Sequence, residues 1–154
     1  MSRKDEQERR TYIDACRAVA RYDQDKRRYV EIKNDIMERY KGALAAQPGG
    51  HPEGGFITGD PEKRLLDLED LARTVLAKRI EAVGIAFNDL RMALYPDPDK
   101  EVDKLIRAIM AHCDNKYVYA FYGLQKTFRM NYSQATFKRA KRAVLDRVIN
   151  LLEL

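Results

Sequence analysis

The sequence contains no tryptophan, only five prolines and only two cysteines among its 154 residues. Two cysteines are too few for the disulfide scaffold of a small secreted domain. No apolar run approaches the length of a membrane span, and the charged N-terminus lacks the apolar core that a signal peptide needs. We therefore expect a cytoplasmic protein that has no membrane partner.

The motifs of common catalytic and cofactor-binding sites are also missing. The sequence has no Gly-x-Ser-x-Gly elbow, no His-Glu-x-x-His and no Walker motif. His112 and Cys113 are neighbours, but adjacent residues on a helix point about 100° apart and do not face each other. Neither His51 nor His112 has the spacing or the further ligands of a zinc site. We predict that the protein is not an enzyme and binds no metal or cofactor.

What the sequence does contain is helical periodicity, so we predict an all-α fold. Residues 3–45 have no glycine or proline before Gly42 and can form one long amphipathic helix. Its acidic and basic residues are interleaved, which favours a solvated face over a second nucleic-acid contact around Lys26. Residues 46–60 contain two Gly-Gly pairs and two prolines in the run AQPGGHPEGGFITGD, which predicts a flexible loop.

A second long helix is predicted from Asp60-Pro61 to Leu94, with Asp60 as its cap and Pro61 at its first position. The apolar residues from Leu76 to Leu94 alternate at spacings of three and four, as in a coiled coil. This helix can pack against the N-terminal helix as a hairpin or against the same helix of a second subunit. The sequence favours neither arrangement over the other.

The run Tyr95-Pro96-Asp97-Pro98 should end that helix, because neither proline can continue it. Asp99 is then expected to cap a shorter helix that extends to Cys113. This organisation predicts two domains. Residues 1–95 form a long helical hairpin or coiled-coil-like region with a loop at 46–60, and residues 96–154 form a small C-terminal domain.

The positive charge is concentrated in that C-terminal domain. Residues 115–154 hold eight basic and two acidic side chains, whereas the rest of the chain holds 21 basic and 22 acidic ones. A polyanion is the simplest partner for such an asymmetry, because neutralising its phosphates releases condensed counterions. Nucleic acid is the leading candidate.

The pattern of the same segment is typical of a helix-turn-helix. An apolar helix carries Tyr117, Val118, Phe121, Tyr122 and Leu124, and Met130-Asn131-Tyr132 interrupts it before Ser133. Ser133 can cap a second, basic helix. The core face of that helix is predicted to carry Phe137, Ala140 or Lys141, Val144, Val148 and Leu151. Its open face is predicted to carry Gln134, Ala135, Lys138, Arg139 and Arg142.

A slim first turn can enter the major groove, and longer cations behind it can reach bases or phosphates. Basic amphipathic helices are also common on solvated surfaces. From charge and pattern alone, a solvated face or a partner-binding helix therefore remains open beside DNA binding.

The run SQATFKRAKRAV at residues 133–144 resembles the C-terminal signature of the ArpU/RinA-type late transcription regulators of Gram-positive phages. That signature is roughly S-x-S-T-(Y/F)-x-R-x-(K/R)-(K/R)-A-(I/L/V). The resemblance is close over residues 115–150, weaker over 60–90 and absent from the first 45. Ala135 stands where the family often has Ser. In the family this segment is similar to the helix-turn-helix of sigma-factor region 4.

The resemblance implies a DNA-binding activator of late phage genes, such as packaging and lysis genes, in the host cytoplasm. It implies that Ser133 caps the helix and meets a phosphate, and that Phe137 and Ala143 hold the helix to its core. The expected base-reading edge is Gln134, Ala135, Thr136, Lys138 and Arg139. The expected phosphate contacts are Ser133, Lys141, Arg142, Lys126 and Arg129.

Double-stranded DNA is the expected partner, RNA polymerase is a candidate partner, and a homo-oligomer, with a dimer favoured, would read two half-sites. Two alternatives stay open. A small terminase subunit would also bind DNA but as a ring that feeds a packaging motor, and a helical adaptor would use its basic face to bind an acidic protein.

Overall fold

The computed structural model describes residues 2–45, 61–115 and 120–154. Within these ranges every regular element is a helix, which confirms the all-α prediction. The helices are α1 (Arg3–Ala20), α2 (Tyr22–Ala45), α3 (Pro61–Ala72), α4 (Val75–Ala93), α5 (Glu101–Asp114), α6 (Phe121–Phe128) and α7 (Gln134–Leu152). None of the helices in the described part of the chain is long and apolar enough to cross a membrane. The predicted Gly/Pro loop at 46–60 and the cap at Asp60 lie outside the described residues.

The predicted N-terminal helix is observed as two helices with only Arg21 between them. Its start is fixed by a capping box, in which the Ser2 hydroxyl accepts the Asp5 N–H and the Asp5 carboxylate accepts the Ser2 N–H. Such reciprocal bonds satisfy two of the free N–H groups of the first turn.

The second predicted helix begins at Pro61, as expected, but it does not run unbroken to Leu94. It breaks at Arg73 and Thr74, between α3 and α4. The hydroxyl of Thr74 donates to the Leu71 carbonyl at 2.7 Å and accepts the Ala77 N–H at 3.2 Å. The hydrogen bonds of such a threonine compete with the backbone hydrogen bonds of a continuous helix, and its side chain can cap the start of the next helix. The prediction of one unbroken helix from Pro61 to Leu94 was therefore wrong at this point, and the break lies before the apolar residues that begin at Leu76.

The cap of α5 is also different from the expected one. Asp97, not Asp99, accepts the N–H groups of Glu101 and Val102, at 3.0 and 2.9 Å. Lys100 at the helix start adopts a left-handed conformation with φ of 55° and gives no side-chain cap. A turn closed by the hydrogen bond from the Lys100 N–H to the Asp97 carbonyl, at 3.2 Å, precedes the helix and brings the Asp97 carboxylate to the free N–H groups.

The chain divides into two compact units. The major unit comprises Met1–Asp23 and Arg79–Leu154, and the minor unit comprises Gln24–Lys78. The boundary predicted between residues 95 and 96 falls inside the major unit, because α1 packs against both α5 and α7. The small C-terminal helices therefore share their core with the N-terminal helix.

The core of the major unit joins side chains from five helices. Small residues of α1, Ala15 and Ala18, are buried in it and permit close approach of the neighbouring helices. Tyr22 packs edge-on against the buried Phe87, with ring centroids 5.2 Å apart. A Cβ atom at Gly84 would lie 3.3 Å from the Tyr22 hydroxyl, so a glycine here allows the tyrosine to approach α4 closely.

The minor unit has a small core of its own. Ile36, Tyr40 and Leu71 are buried together, and the Tyr40 hydroxyl donates to the Asp67 carboxylate at 2.6 Å. Two tyrosines of the N-terminal region, Tyr29 and Tyr40, thus pack within this unit. The hairpin or coiled-coil arrangement stays a prediction.

Candidate nucleic-acid interface

The helix α7 starts where the sequence predicts. Ser133 has an extended backbone, its hydroxyl oxygen accepts the Thr136 N–H at 3.2 Å, and its hydroxyl donates to Thr136 Oγ1 at 3.0 Å. Capping of this kind satisfies a free N–H group of the first turn and fixes the register of the helix. The cap that the sequence indicated is therefore confirmed.

The turn before α7 is anchored at both ends. Arg129 ends α6 in a left-handed conformation with φ of 53°, and Met130 is buried directly after it. The Gln125 side-chain amide donates to the Tyr132 carbonyl at 3.4 Å. Burial and the nearby carboxylates of Asp97 and Glu101 raise the pKa of Tyr132 above its ordinary value. The turn is thus tied to α6 and to the start of α5.

The two faces of α7 are clearly separated. The buried face carries Phe137, Ala140, Lys141, Val144, Leu145 and Val148. The exposed face carries Gln134, Ala135, Lys138, Arg139 and Arg142. Thr136 lies between the faces, and Ala143 is exposed, so the expectation that Ala143 packs in the core was wrong. Ala143 lies four residues after the exposed Arg139 and four residues before the exposed Arg147, which places it on the outward side of the helix.

Aromatic contacts hold the buried face of α7 against α5 and α6. The Phe137 ring lies 5.9 Å from that of Phe121 on α6 and 5.5 Å from that of His112 on α5, measured between centroids. Tyr122 was expected in the apolar stripe of α6, but it is 77% exposed, and Leu124 is the residue of that helix that is fully buried. Tyr117 and Val118 lie outside the described residues.

From α6 to Leu145 on α7, the charged side chains are all basic. No acidic residue occurs from Asn115 to Leu145. In the described part of the chain, Lys126, Arg129, Lys138 and Arg139 have no carboxylate within ion-pair distance. Arg142 is paired with Asp146 at 3.7 Å, and both side chains are exposed, so this pair contributes little stability. These cations are available to an anionic partner.

Of the ten predicted contact residues, nine lie at or near the surface of the α6–α7 segment. The exception is Lys141, which is only 8% exposed. Its Nζ lies 2.8 Å from Nδ1 of His112 and 5.9 Å from the centroid of the Tyr12 ring. The wide buried face of α7 takes in both Ala140 and Lys141, because α1 and α5 pack on neighbouring sides of the helix. Lys141 is thus directed away from the face that suits phosphate contacts.

Sequence reasoning did not foresee the surroundings of Lys141. Tyr12 and Cys16 come from α1, whereas His112 and Cys113 come from α5. The thiol of Cys113 contacts that of Cys16, and this hydrogen bond, followed by burial, raises the pKa of the Cys113 thiol well above its ordinary value. Burial also raises the pKa of Tyr12. Residues a hundred positions apart leave no local signal that they will meet.

Among the residues that the structure describes, no group of three or more histidine, cysteine or acidic side chains could hold a metal ion. Comparisons of the chain with protein-family models, with curated proteins and with solved structures found no match. The resemblance to ArpU/RinA-type regulators therefore rests on the sequence pattern of residues 115–150 alone.

Proposed function

We propose that this chain is a sequence-specific, double-stranded-DNA-binding regulator of transcription, with α7 as its recognition helix. The observation that carries the proposal is the exposed face of α7, where a slim first turn precedes unpaired cations. Gln134 and Ala135 are short enough to approach base edges, and Lys138 and Arg139 can reach bases one turn later.

The phosphate contacts belong to the cations around this edge. Lys126 and Arg129 lie on α6 and at its end, and Arg142 lies one turn beyond Lys138 on α7. Such contacts fix the orientation of a protein on the duplex, whereas base contacts give the sequence preference. We propose that Ser133, at the exposed cap, meets a phosphate near the helix start.

The resemblance of residues 133–144 supports the more specific proposal of an activator of late phage genes in the host cytoplasm, with RNA polymerase as a second partner. We also propose a homodimer, since two copies would read two half-sites. Leu65, Leu66 and Val75 of the minor unit have exposed apolar side chains that a second copy could cover. A mass in solution equal to two 17.9 kDa chains would support this proposal. A ring of eight or more subunits would instead favour a small terminase subunit.

The test is a selection of bound sequences from random duplex DNA by the full chain, followed by affinity measurements on the selected site and on random DNA. Arg139→Ala should weaken binding to the selected site by about 1–3 kcal/mol and relax the preference at one base pair. Arg142→Ala should weaken binding to all sequences alike, because it removes one phosphate contact. The slope of log affinity against log salt concentration should become shallower by about one.

The matched control is Arg107→Ala, which removes an exposed arginine from α5 and should leave both affinities unchanged. Equal losses on selected and random DNA for Arg139→Ala would remove that residue from the reading edge. No binding to any duplex at moderate salt would contradict the proposed function and favour an acidic protein partner for this face.

A further inference from the structure

Two clefts meet at Lys141 in the major unit. The first has a volume of about 350 Å³ and lies between α1, α5, α6 and α7. The second has a volume of about 430 Å³ and lies between α1, α5 and α7. Tyr12, His112 and Lys141 line both clefts and form the wall between them. The lysine therefore contacts two spaces that are large enough for a small molecule.

The Lys141 ammonium group is buried, and no counter-ion for it occurs among the described residues. No carboxylate in the described ranges lies within ion-pair distance of it. It donates one hydrogen bond to His112 Nδ1, at 2.8 Å, although an ammonium group has three N–H donors. A buried charge is costly unless it is paired and fully hydrogen-bonded. An anion in the adjoining cleft would supply both the opposite charge and acceptors for the remaining N–H groups.

The first cleft has the charge and the shape to hold such an anion. Lys138 and Arg142 line it together with Lys141, and none of the described residues that line it is acidic. Its walls include Phe121, Leu124 and Phe137, and the rings of the two phenylalanines are 5.9 Å apart. Aromatic walls with a few converging polar groups are typical of sites for planar ligands.

We infer that the first cleft binds a small planar aromatic anion, with the anionic group on Lys141 and the ring against Phe121 and Phe137. The volume is at the lower end of the range for ligand sites, which suits one or two fused rings. The other source of an anionic group is a DNA phosphate, but the bases of a duplex are paired and stacked inside the double helix, so a duplex phosphate brings no free planar ring to the apolar end.

The cleft lies beside the face of α7 that is proposed to bind DNA, so a ligand in the cleft can regulate DNA binding. This part of the inference rests on the proposed function. Gln134, Lys138 and Arg142 line the cleft and also belong to the exposed face of α7. A ligand held there would place negative charge beside two of the cations that face DNA. We expect that bound ligand lowers the affinity for duplex DNA.

The test is a calorimetric and NMR titration of the full chain with 2-naphthoate, in the absence of DNA. The expected dissociation constant is below about 1 mM, with shifts of the His112 and Phe137 ring signals. The uncharged analogue 2-naphthamide should bind at least about tenfold more weakly, because it lacks the charge that pairs with Lys141. Inorganic phosphate should also bind more weakly, because it lacks the ring.

Lys141→Met keeps an unbranched side chain in the core and should weaken 2-naphthoate binding at least about tenfold. Lys78→Met, at an exposed lysine that lines neither cleft and has no proposed role in DNA binding, is the matched control and should bind as the wild type does. Circular dichroism shows whether Lys141→Met is folded, and the His112 shifts in the wild type provide a readout that needs no variant.

Three results would overturn the inference. They are equal binding of 2-naphthoate by wild type and Lys141→Met, equal binding of 2-naphthamide, and binding that leaves the His112 signals unchanged. If duplex DNA shifts the His112 signals while 2-naphthoate does not, the cleft is a phosphate site for DNA and the inference fails. Because the naphthoate titrations contain no DNA, they can fail while the proposed DNA binding holds, and the reverse is also true.

Discussion

The side chain of Phe137 holds α7 against two other helices. It is 3% exposed, and its ring contacts those of Phe121 on α6 and His112 on α5. Phe137→Ala should lower the free energy of unfolding by about 3–5 kcal/mol, because it removes a large buried ring and leaves a cavity. Urea denaturation followed by circular dichroism measures this loss.

Tyr122→Ala is the matched control, because this aromatic residue of α6 is 77% exposed. Its removal should change the free energy of unfolding by no more than about 0.5 kcal/mol. Equal stabilities of the two variants would show that the assigned inner face of α7 is wrong.

We expect the thiol of Cys113 to make the free energy of unfolding depend on pH. The raised pKa means that the folded chain keeps this proton, whereas the unfolded chain releases it near the ordinary thiol value of about 8.5. Above that pH the unfolded state binds fewer protons than the folded one, so the free energy of unfolding falls as pH rises. The slope for one proton is at most about 1.4 kcal/mol per pH unit.

Urea denaturation of wild type and Cys113→Ala at pH 7, 8, 9 and 10 separates this contribution from the other titrations. The stability difference between the two proteins should be constant below about pH 8 and should shrink above it. A difference that does not change up to pH 10 would mean that the folded thiol ionises as freely as the unfolded one.

At the scale of elements, the start of α5 depends on one of two nearby carboxylates. Asp97→Ala should lower the free energy of unfolding by about 0.5–2 kcal/mol, because both oxygens of Asp97 accept N–H groups of the first turn. Asp99→Ala is the matched control, since Asp99 is exposed and does not cap the helix. A larger loss for Asp99→Ala, measured by thermal or urea unfolding, would restore the sequence-based assignment.

The elements also show what the sequence could and could not predict. The helix starts at Pro61 and Ser133 were predicted, because each depends on a local preference that a few residues express. The break at Thr74 and the cap at Asp97 were missed, because they depend on the path of the backbone around them. At the break before α4 and at the start of α5, several neighbouring residues have side chains that can hydrogen-bond to the backbone. The sequence pattern alone does not indicate which of them does.

The candidate interface was predicted from periodicity, and its exposed face agrees with the expected one. Lys141 shows the limit of that method, because the pattern left Ala140 or Lys141 as the core residue and the structure buries both. The difference comes from α1, which packs against α7 from more than a hundred residues away. A pairing so distant in sequence is decided by the complementarity of whole surfaces.

At the scale of the whole molecule, the major unit is built from two separated stretches of the chain. Ala15, Ala18 and Val19 of α1 are buried in the same core as Leu145 and Val148 of α7. A fragment of residues 96–154 would lack these partners and expose the apolar faces of α5 and α7 to water. We therefore expect this fragment to be unfolded by circular dichroism, although it contains the complete α6–α7 segment.

A chain in which a Gly/Ser linker replaces residues 24–78 should instead fold and unfold cooperatively. The contacts of Tyr22 with Phe87 and near Gly84 place the end of the first stretch close to α4, so Asp23 and Arg79 can be joined. A flexible linker of about eight residues spans roughly 16 Å on average, which suits such a connection. If DNA binding belongs to the major unit, this shortened chain should keep its affinity for a single half-site. A folded 96–154 fragment together with an unfolded shortened chain would reverse this assignment and place the domain boundary between residues 95 and 96.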